Sequence, residues 1–314
     1  MRFSVLIPAY NAAATIGATL DAVLSQSVRP HEVLVYDDGS TDETAAVLAS
    51  YQSRIRVFGG PNRGVAGARN FLCEQATGDQ AAFLDADDVW HPRYLETQHR
   101  LIERYPEAVA SFTDHIDVVG ADPYNWEDDA VDSAAVEELI SPNELMKRCN
   151  RSPMKFGMSW FCMPASTLAR LGSRPFYDGN AEDAYIHNLL PLLGPVAYTG
   201  ARLVAYRIIG GSLSSDRLRS SLWVLDSFRE LAPKYAAASR DLSRCFGSVS
   251  ASRKRDCGKF LMGAGRARDA RRQFIDSMTD SARLDSLLKS ASLLALTLVP
   301  SVLQPEWPSV QRLG

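Results

Sequence analysis

Residues 81–90 read Ala81-Ala82-Phe83-Leu84-Asp85-Ala86-Asp87-Asp88-Val89-Trp90. An apolar run enters, and three carboxylates follow within four residues. The apolar half has the make-up of a buried strand in a parallel sheet. Ligands of open α/β sheets bind beyond the carboxyl ends of the strands, so Asp85, Asp87 and Asp88 stand where a ligand would stand. Clustered carboxylates repel one another unless a cation lies between them. A hard divalent cation, Mg2+ or Mn2+, shared with substrate phosphates, answers that repulsion. The competing reading is a solvated turn leading into a helix N-terminus, where Asp is common.

The text upstream favours a ligand site. Residues 3–7 form a short apolar run closed by Pro8, and residues 15–25 carry Ile16, Leu20, Val23 and Leu24 at helical spacing. Residues 32–36 read as a second strand, ending at Asp37-Asp38-Gly39-Ser40. Ser40 and Glu43 have capping-box spacing, which predicts a helix from there to about residue 52. A strand over 55–58, a loop over 59–64, a helix over 65–76 and a strand over 80–84 follow. Strands and helices alternating in this way mean a parallel sheet with helices on its faces.

Downstream, Pro92 opens a helix that runs to about residue 105, and 109–112 and 116–119 are strand-like. Residues 120–133, rich in Asp, Gly and Pro, read as a loop, and Ser141 with Glu144 opens a helix through a second capping box. A strand over 158–163, helices over 164–171 and 184–193, and strands over 196–199 and 203–206 complete this part. From about residue 217 only basic, amphipathic helical text remains, without an internal repeat.

A length of 314 residues suits one large domain or a domain with an appendage. The net charge of −3 is unevenly spread, and no nucleic-acid partner is expected. Residues 215–314 hold 17 Lys and Arg against 10 Asp and Glu, a net of +7, and the first 214 hold 17 against 27, a net of −10. A basic module on an acidic body makes an anionic surface a candidate partner, with a solvated helical face as the plain alternative. The cysteines, Cys73, Cys149, Cys162, Cys245 and Cys257, are odd in number and show no CxxC spacing, so a reducing cytoplasm is expected. The N-terminus does not read as a signal peptide. The longest apolar stretch, 293–303, is half of the roughly 20 residues a bilayer requires, so no transmembrane helix is expected.

Four short texts line up at predicted strand ends. They are Pro8-Ala9-Tyr10-Asn11, then Asp37-Asp38-Gly39-Ser40-Thr41-Asp42, then Asn62 and Gly64 with Arg69-Asn70, then Asp85-Ala86-Asp87. A flat Tyr10 can stack on a base, Asp38 can accept from a base imide, and the fork of Arg69 can hold a carboxylate or phosphate. A nucleoside diphosphate satisfies that set. No Walker A text and no GxGxxG after the first strand occur, which sets aside P-loop NTPases and dinucleotide-dependent oxidoreductases.

These texts, in this order over residues 3–207, make the chain resemble a family 2 glycosyltransferase with the GT-A fold. The resemblance implies a catalytic domain over 1–214, with a nucleotide-binding half over 1–90 and an acceptor half over 91–214, followed by a helical region over 215–314. It implies that Pro8, Ala9 and Tyr10 line the nucleobase with Asp38, and that Asn62, Asp85 and Ala86 belong to the nucleotide site. It makes Asp87 the ligand of a Mn2+ or Mg2+ ion. Arg69 is expected beside the nucleotide or the acidic loop, or in a structural ion pair. Glu182-Asp183 looks like the family's Glu-Asp pair, with Asp183 as catalytic base and Glu182 beside the acceptor. Trp160 falls where the family places acceptor residues, and a core position suits it equally.

The implied activity is inverting transfer of a sugar from a nucleotide sugar to a sugar or lipid-linked acceptor, in bacterial polysaccharide or glycoconjugate synthesis. The implied place is the cytoplasm, at the inner face of the membrane if the basic helices bind lipid. If they do not, Leu287, Leu288, Leu294 and Leu298 pack onto the catalytic domain. One departure stands out. Family members often carry histidine in a Tyr-Arg-x-His text, and here Tyr206-Arg207-Ile208-Ile209 puts Ile209 at that place, which questions a second protein ligand for the metal. A nucleotidyltransferase and a non-catalytic sugar-nucleotide-binding protein are the alternatives.

Overall fold

Phe3, Val5, Leu6 and Ile7 become the fully buried strand β1 (Phe3–Ala9). Each such side chain contributes about 1.5–3 kcal/mol when taken from water. The computed structural model describes residues 1–120, 124, 126, 135–151, 157–177, 181–209, 216–281 and 284–298. Parallel to β1 lie β2 (Glu32–Asp37) on one side and β4 (Gln80–Phe83) on the other, with β3 (Arg56–Gly59) outside β2. Val5 sits opposite both Val33 and Ala82, so three carboxyl ends open on one edge of the sheet. The crossovers are α1 (Ile16–Leu24), α2 (Thr44–Ala49) and α3 (Gly64–Gln75).

The capping box expected at Ser40 and Glu43 does not form. The Ser40 hydroxyl accepts the Asn11 N–H at 3.0 Å, and Asp42 Oδ1 accepts the Thr44 N–H at 3.0 Å. The helix therefore starts only at Thr44 and makes fewer than two turns. Ser40 is drawn off by the neighbouring loop, a competition open to every short hydroxyl side chain.

The sheet continues past β4 with strands of both directions, antiparallel next to β4 and parallel in its longest pairing. Its elements are β5 (Val89–Trp90), α4 (Tyr94–Arg104), β6 (Ala110–Val119), β7 (Glu137–Ile140), β8 (Phe161–Pro164), α6 (Ala165–Leu171), α7 (Glu182–Leu193) and β9 (Val196–Ile208). The strand order is β3-β2-β1-β4-β8-β6-β9-β5, with β7 also on β9. The two strand-like runs 109–112 and 116–119 are one strand, bulged where its register against β9 shifts around Asp114. The polar text Thr113-Asp114-His115 hides that continuity. Likewise 196–199 and 203–206 are one strand carried through Gly200. β7 escapes a sequence reading because Glu137 and Glu138 do not look like strand. Arg100 and Arg104 pair with Glu137 at 2.7 and 2.9 Å and hold it in the sheet. Before β8 a 3-10 turn spans Met158–Trp160. Most of the loop read over 120–133, and residues 178–180, lie outside the described residues.

The chain divides into two compact units, Met1–Ser141 with Lys155–Ile209, and Pro142–Met154 with Gly210–Gly314. In the second, α5 (Pro142–Arg151) joins α8 (Arg217–Ala236), α9 (Arg240–Gly263), α10 (Ala267–Thr279) and α11 (Leu284–Leu296). Its core holds Leu225, Cys257, Leu261, Met262, Ala270 and Phe274, against which Leu293 and Leu294 pack. The expectation that Leu288 and Leu298 pack is overturned: they are 57% and 69% exposed, and Leu284 is 71% exposed. Beside Leu293 and Leu294 the inward face of α11 also carries Ser286 and Ser290, which accept from Arg255 at 2.8 and 3.2 Å. Among the described residues no helix is long and apolar enough to cross a membrane.

Candidate active site

Three loops meet the chain where β1, β2 and β4 end. Asn11, just past β1, takes a φ of +48°, a left-handed conformation that Asn tolerates better than most residues. Its side-chain oxygen accepts the Thr41 N–H at 2.8 Å, so the first loop is tied to the second. This leaves Tyr10, 52% exposed, as a flat aromatic at the mouth of the sheet, while Pro8 and Ala9 stay buried beneath it. Asp38 is buried and accepts the Arg63 N–H at 2.7 Å, which fixes the loop holding Asn62. Burial pushes the Asp38 carboxyl up, against those N–H donors. Gly39, at φ +77°, lies so close to Asn62 and Gly60 that a Cβ would meet their backbones at 3.1 and 3.2 Å.

The acidic loop is held from several sides. Thr19 of α1 donates to the Asp88 carbonyl at 2.9 Å, with the Ala86 carbonyl at 3.1 Å. Ser159 accepts the Asp85 N–H at 3.0 Å and donates to the Asp88 carboxyl. The Arg207 N–H donates to Asp88 Oδ1 at 3.0 Å, and its guanidinium donates to the Asp87 carbonyl. Asp88 is thus fully buried, a structural member of the cluster, and its carboxyl is pushed well up by burial and by Asp87 and Asp85. Asp85 and Asp87 remain partly accessible. Among the described residues no side chain donates to the Asp87 carboxylate, and burial together with the charge of Asp85 pushes its pKa up to about 6.

The Arg69 guanidinium, on α3, is buried and donates one arm to Asp85 and the other to Glu182. It takes the position beside the acidic loop as an ion pair, so its fork is committed to two carboxylates. The Glu182 at the head of α7 is thereby brought to the acidic loop from 113 residues away. Asp183 follows on the first turn, partly accessible, and accepts the Ala184 N–H at 2.6 Å. Burial first, and then the charge of Glu182, push its pKa up to about 6. One turn further on, His187 is buried among Phe112 and Phe161, and burial holds it down to about 3, so it is neutral. Asn70 latches the chain ahead of α7, donating to the Phe176 carbonyl and accepting its N–H, both at 2.9 Å.

Trp160 is 3% exposed. One face lies on His115 at 4.2 Å, nearly parallel, and Tyr206 meets it edge-on at 5.8 Å. Gly157 leaves room for it, since a Cβ there would come within 2.2 Å of the indole. Its position is that of a core residue beneath the acidic loop. Sequence reading misses Ser159, Thr19 and the anchoring role of Arg207, and it names Asn70 within a motif without its latch on Phe176. Only Arg207 left a signal, a charge at the end of an otherwise apolar run.

A model described as Glycosyl transferase family 2 matches residues 4–164, and the chain belongs to that family. It is 31% identical over 174 residues to an uncharacterized glycosyltransferase of Nostoc sp., covering 54% of this chain and 50% of that protein. It is 43% identical over 97 residues to the UDP-Glc:alpha-D-GlcNAc-diphosphoundecaprenol beta-1,3-glucosyltransferase of Escherichia coli, 30% of this chain and 38% of that one. The matched parts thus span half or less of these relatives. Among solved structures, S. aureus TarS 1–349 in complex with UDP-GlcNAc superposes with a TM-score of 0.69 at 17% identity, over 95% of this chain and 90% of that one. A Pyrobaculum calidifontis mannosyltransferase in complex with GDP-Man and Mn2+ gives 0.61 at 18% identity, over 95% and 81%. The shared fold is of the GT-A type, a mixed α/β sheet followed by a helical C-terminal region.

Proposed function

We propose that the protein is an inverting glycosyltransferase that moves a sugar from a nucleoside diphosphate sugar to an acceptor hydroxyl. One observation carries this reading. Arg69 holds Asp85 of the nucleotide-side loop and Glu182 at the head of α7, which sets Asp183 beside the donor carboxylates. Tyr10 stacks on the base while Asp38 and the Asn62 loop border it, and Pro8, Ala9, Asp85 and Ala86 complete the nucleotide half. Asp183 takes the proton of the attacking hydroxyl, which is otherwise a poor nucleophile. With one base and a single displacement, attack comes opposite the leaving group and inverts the anomeric carbon.

A divalent cation fits the donor set. Asp87 offers a carboxylate to which no side chain among the described residues donates, and Asp85 has a second oxygen beyond the one given to Arg69. Among the described residues no three His, Cys, Asp or Glu side chains form a full cage. Diphosphate and water oxygens then supply the rest, as a hard cation accepts. When bound, Mn2+ or Mg2+ offsets charge on the departing diphosphate. The lipid-linked acceptor in the name of the Escherichia coli relative supports a sugar or lipid-linked acceptor here, in bacterial glycoconjugate synthesis at the inner membrane face.

The test is release of free nucleoside diphosphate from a panel of UDP-, GDP- and dTDP-sugars with Mn2+ or Mg2+. One donor is expected to turn over, and the same nucleotide with metal is expected to raise the melting temperature of the parent but not of Asp87→Asn. A shift without turnover leaves the non-catalytic binder; an equal shift in Asp87→Asn removes the metal assignment.

A further inference from the structure

The acidic loop is a turn, closed by the Asp88 N–H on the Asp85 carbonyl at 3.2 Å, with Ala86 and Asp87 at its tip. One residue grips this turn at both ends from 74 positions away. The Ser159 hydroxyl accepts the Asp85 N–H at 3.0 Å and donates to the Asp88 carboxyl. Just past the turn, the Trp90 indole N–H donates to the Ser159 carbonyl at 2.6 Å. Ser159, Asp88 and Trp90 are all fully buried. Trp90 lies on Tyr94 of α4, nearly parallel, with ring centroids 4.1 Å apart. The grip therefore stands on packed core. The two other holders act differently. Thr19 donates to the carbonyls of Ala86 and Asp88, and Arg207 brings a charge along with its hydrogen bonds. Of these three, only Ser159 reaches Asp85, and it does so without charge.

A turn fixed at both ends leaves its central side chains few directions. Asp87 is one of those two, and among the described residues no side chain donates to its carboxylate. Its aim is set through the backbone of the turn. A hard cation tolerates little error in that aim, since Mg2+ demands near-octahedral oxygens at about 2.0–2.1 Å. Groups that orient a metal's ligand without touching the metal are worth about tenfold to a hundredfold in metal affinity. We infer that Ser159 is a positioning residue that aims the Asp87 carboxylate at a divalent cation. A hydroxyl suits this place because one atom both donates and accepts. This role rests on the transfer reading, and it makes the acceptor half of the sheet a determinant of how tightly the donor's metal is held. Replacing Ser159 removes no charge, so a change in metal affinity would report geometry and not a changed field.

The probes are UDP, GDP and dTDP, each titrated into the full chain. Calorimetry reads their affinity with MnCl2, and ligand-observed NMR reads the weaker affinity with EDTA. The quantity compared is the ratio of the two. The parent is expected to prefer the manganese complex of at least one nucleotide. In Ser159→Ala that ratio should fall about tenfold to a hundredfold, with the EDTA affinity unchanged. Ser159→Cys keeps the volume and offers only a weak donor and acceptor, and it is the variant to read if Ser159→Ala does not fold. Ser111→Ala is the control. Ser111 is buried in the same unit and donates to Gln98 at 2.7 Å, away from the loop. That variant should lose melting temperature and keep the ratio. A parent ratio of one overturns the metal assignment of the transfer reading, and the role of Ser159 with it. A parent ratio above one that survives in Ser159→Ala, or in Ser159→Cys where alanine does not fold, overturns the positioning role alone. So does an equal fall in Ser111→Ala.

Discussion

Asp183 combines partial access, a helix N-terminus and a pKa pushed up to about 6 by burial and by Glu182. A base works in its ionised form, so kcat/KM should be flat above that pH and fall about tenfold per unit below it. A profile that stays flat from pH 7 down to 5 would move the base elsewhere, with Glu182 first in line. Asp183→Asn should keep donor affinity and lose at least about a hundredfold in turnover. A second readout separates chemistry from folding. An unfolded Asp titrates near about 3.9, so the native state holds this proton more tightly. Acidification from about pH 6 toward 4 then favours the native parent, and Asp183→Asn lacks that gain. Melting curves across this range would show equal slopes for both proteins if the raised pKa were wrong.

At the scale of elements, one guanidinium joins α3, the acidic loop and α7. Removing it leaves the buried Glu182 and the partly accessible Asp85 without their counter-charge, so Arg69→Met should cost about 3 kcal/mol, the low end for a broken buried pair. Urea unfolding would read this as a lower midpoint with an unchanged slope, and a loss below about 1 kcal/mol would mean that solvent already screens the pair. This cluster also marks how far the sequence is legible. The alternation over residues 3–84 and the motifs at the strand ends can be read because each is a local run with its own period. Asp85, Asp87, Glu182 and Asp183 can be named because their residue types cluster in short texts. That Asp88 is structural cannot be read, because its partners Ser159 and Arg207 come from 71 and 119 residues away. Nor could β7 be read, since its glutamates look solvated until Arg100 and Arg104 are brought beside them.

At the scale of the molecule, the basic excess of the last hundred residues accompanies a helix with leucines on its outer face as well as its inner one. α11 turns its serines toward Arg255 and shows Leu284 and Leu288 to solvent, with Leu298 just beyond it. A leucine stripe of this kind, with each nearby arginine adding roughly 1 kcal/mol at anionic headgroups, suits the surface of a membrane. The protein is expected to float with anionic vesicles at low salt and to be released by added salt. Leu288→Glu should abolish flotation without lowering the melting temperature, because the side chain is 57% exposed in the folded chain. A parent that stays at the bottom of the gradient sinks the idea. The anchoring of the acidic loop has a further consequence, in time. Arg207 lies 120 residues after the loop it holds. A ribosome adding about 5–20 residues per second supplies it some 6–24 s later. Through that interval Asp87 and Asp88 have no clasp from β9, while β8, made earlier, is already there for the open edge of β4. A chain arrested before codon 207 therefore holds its acidic loop through Thr19 and Ser159 alone, without the two donations from Arg207.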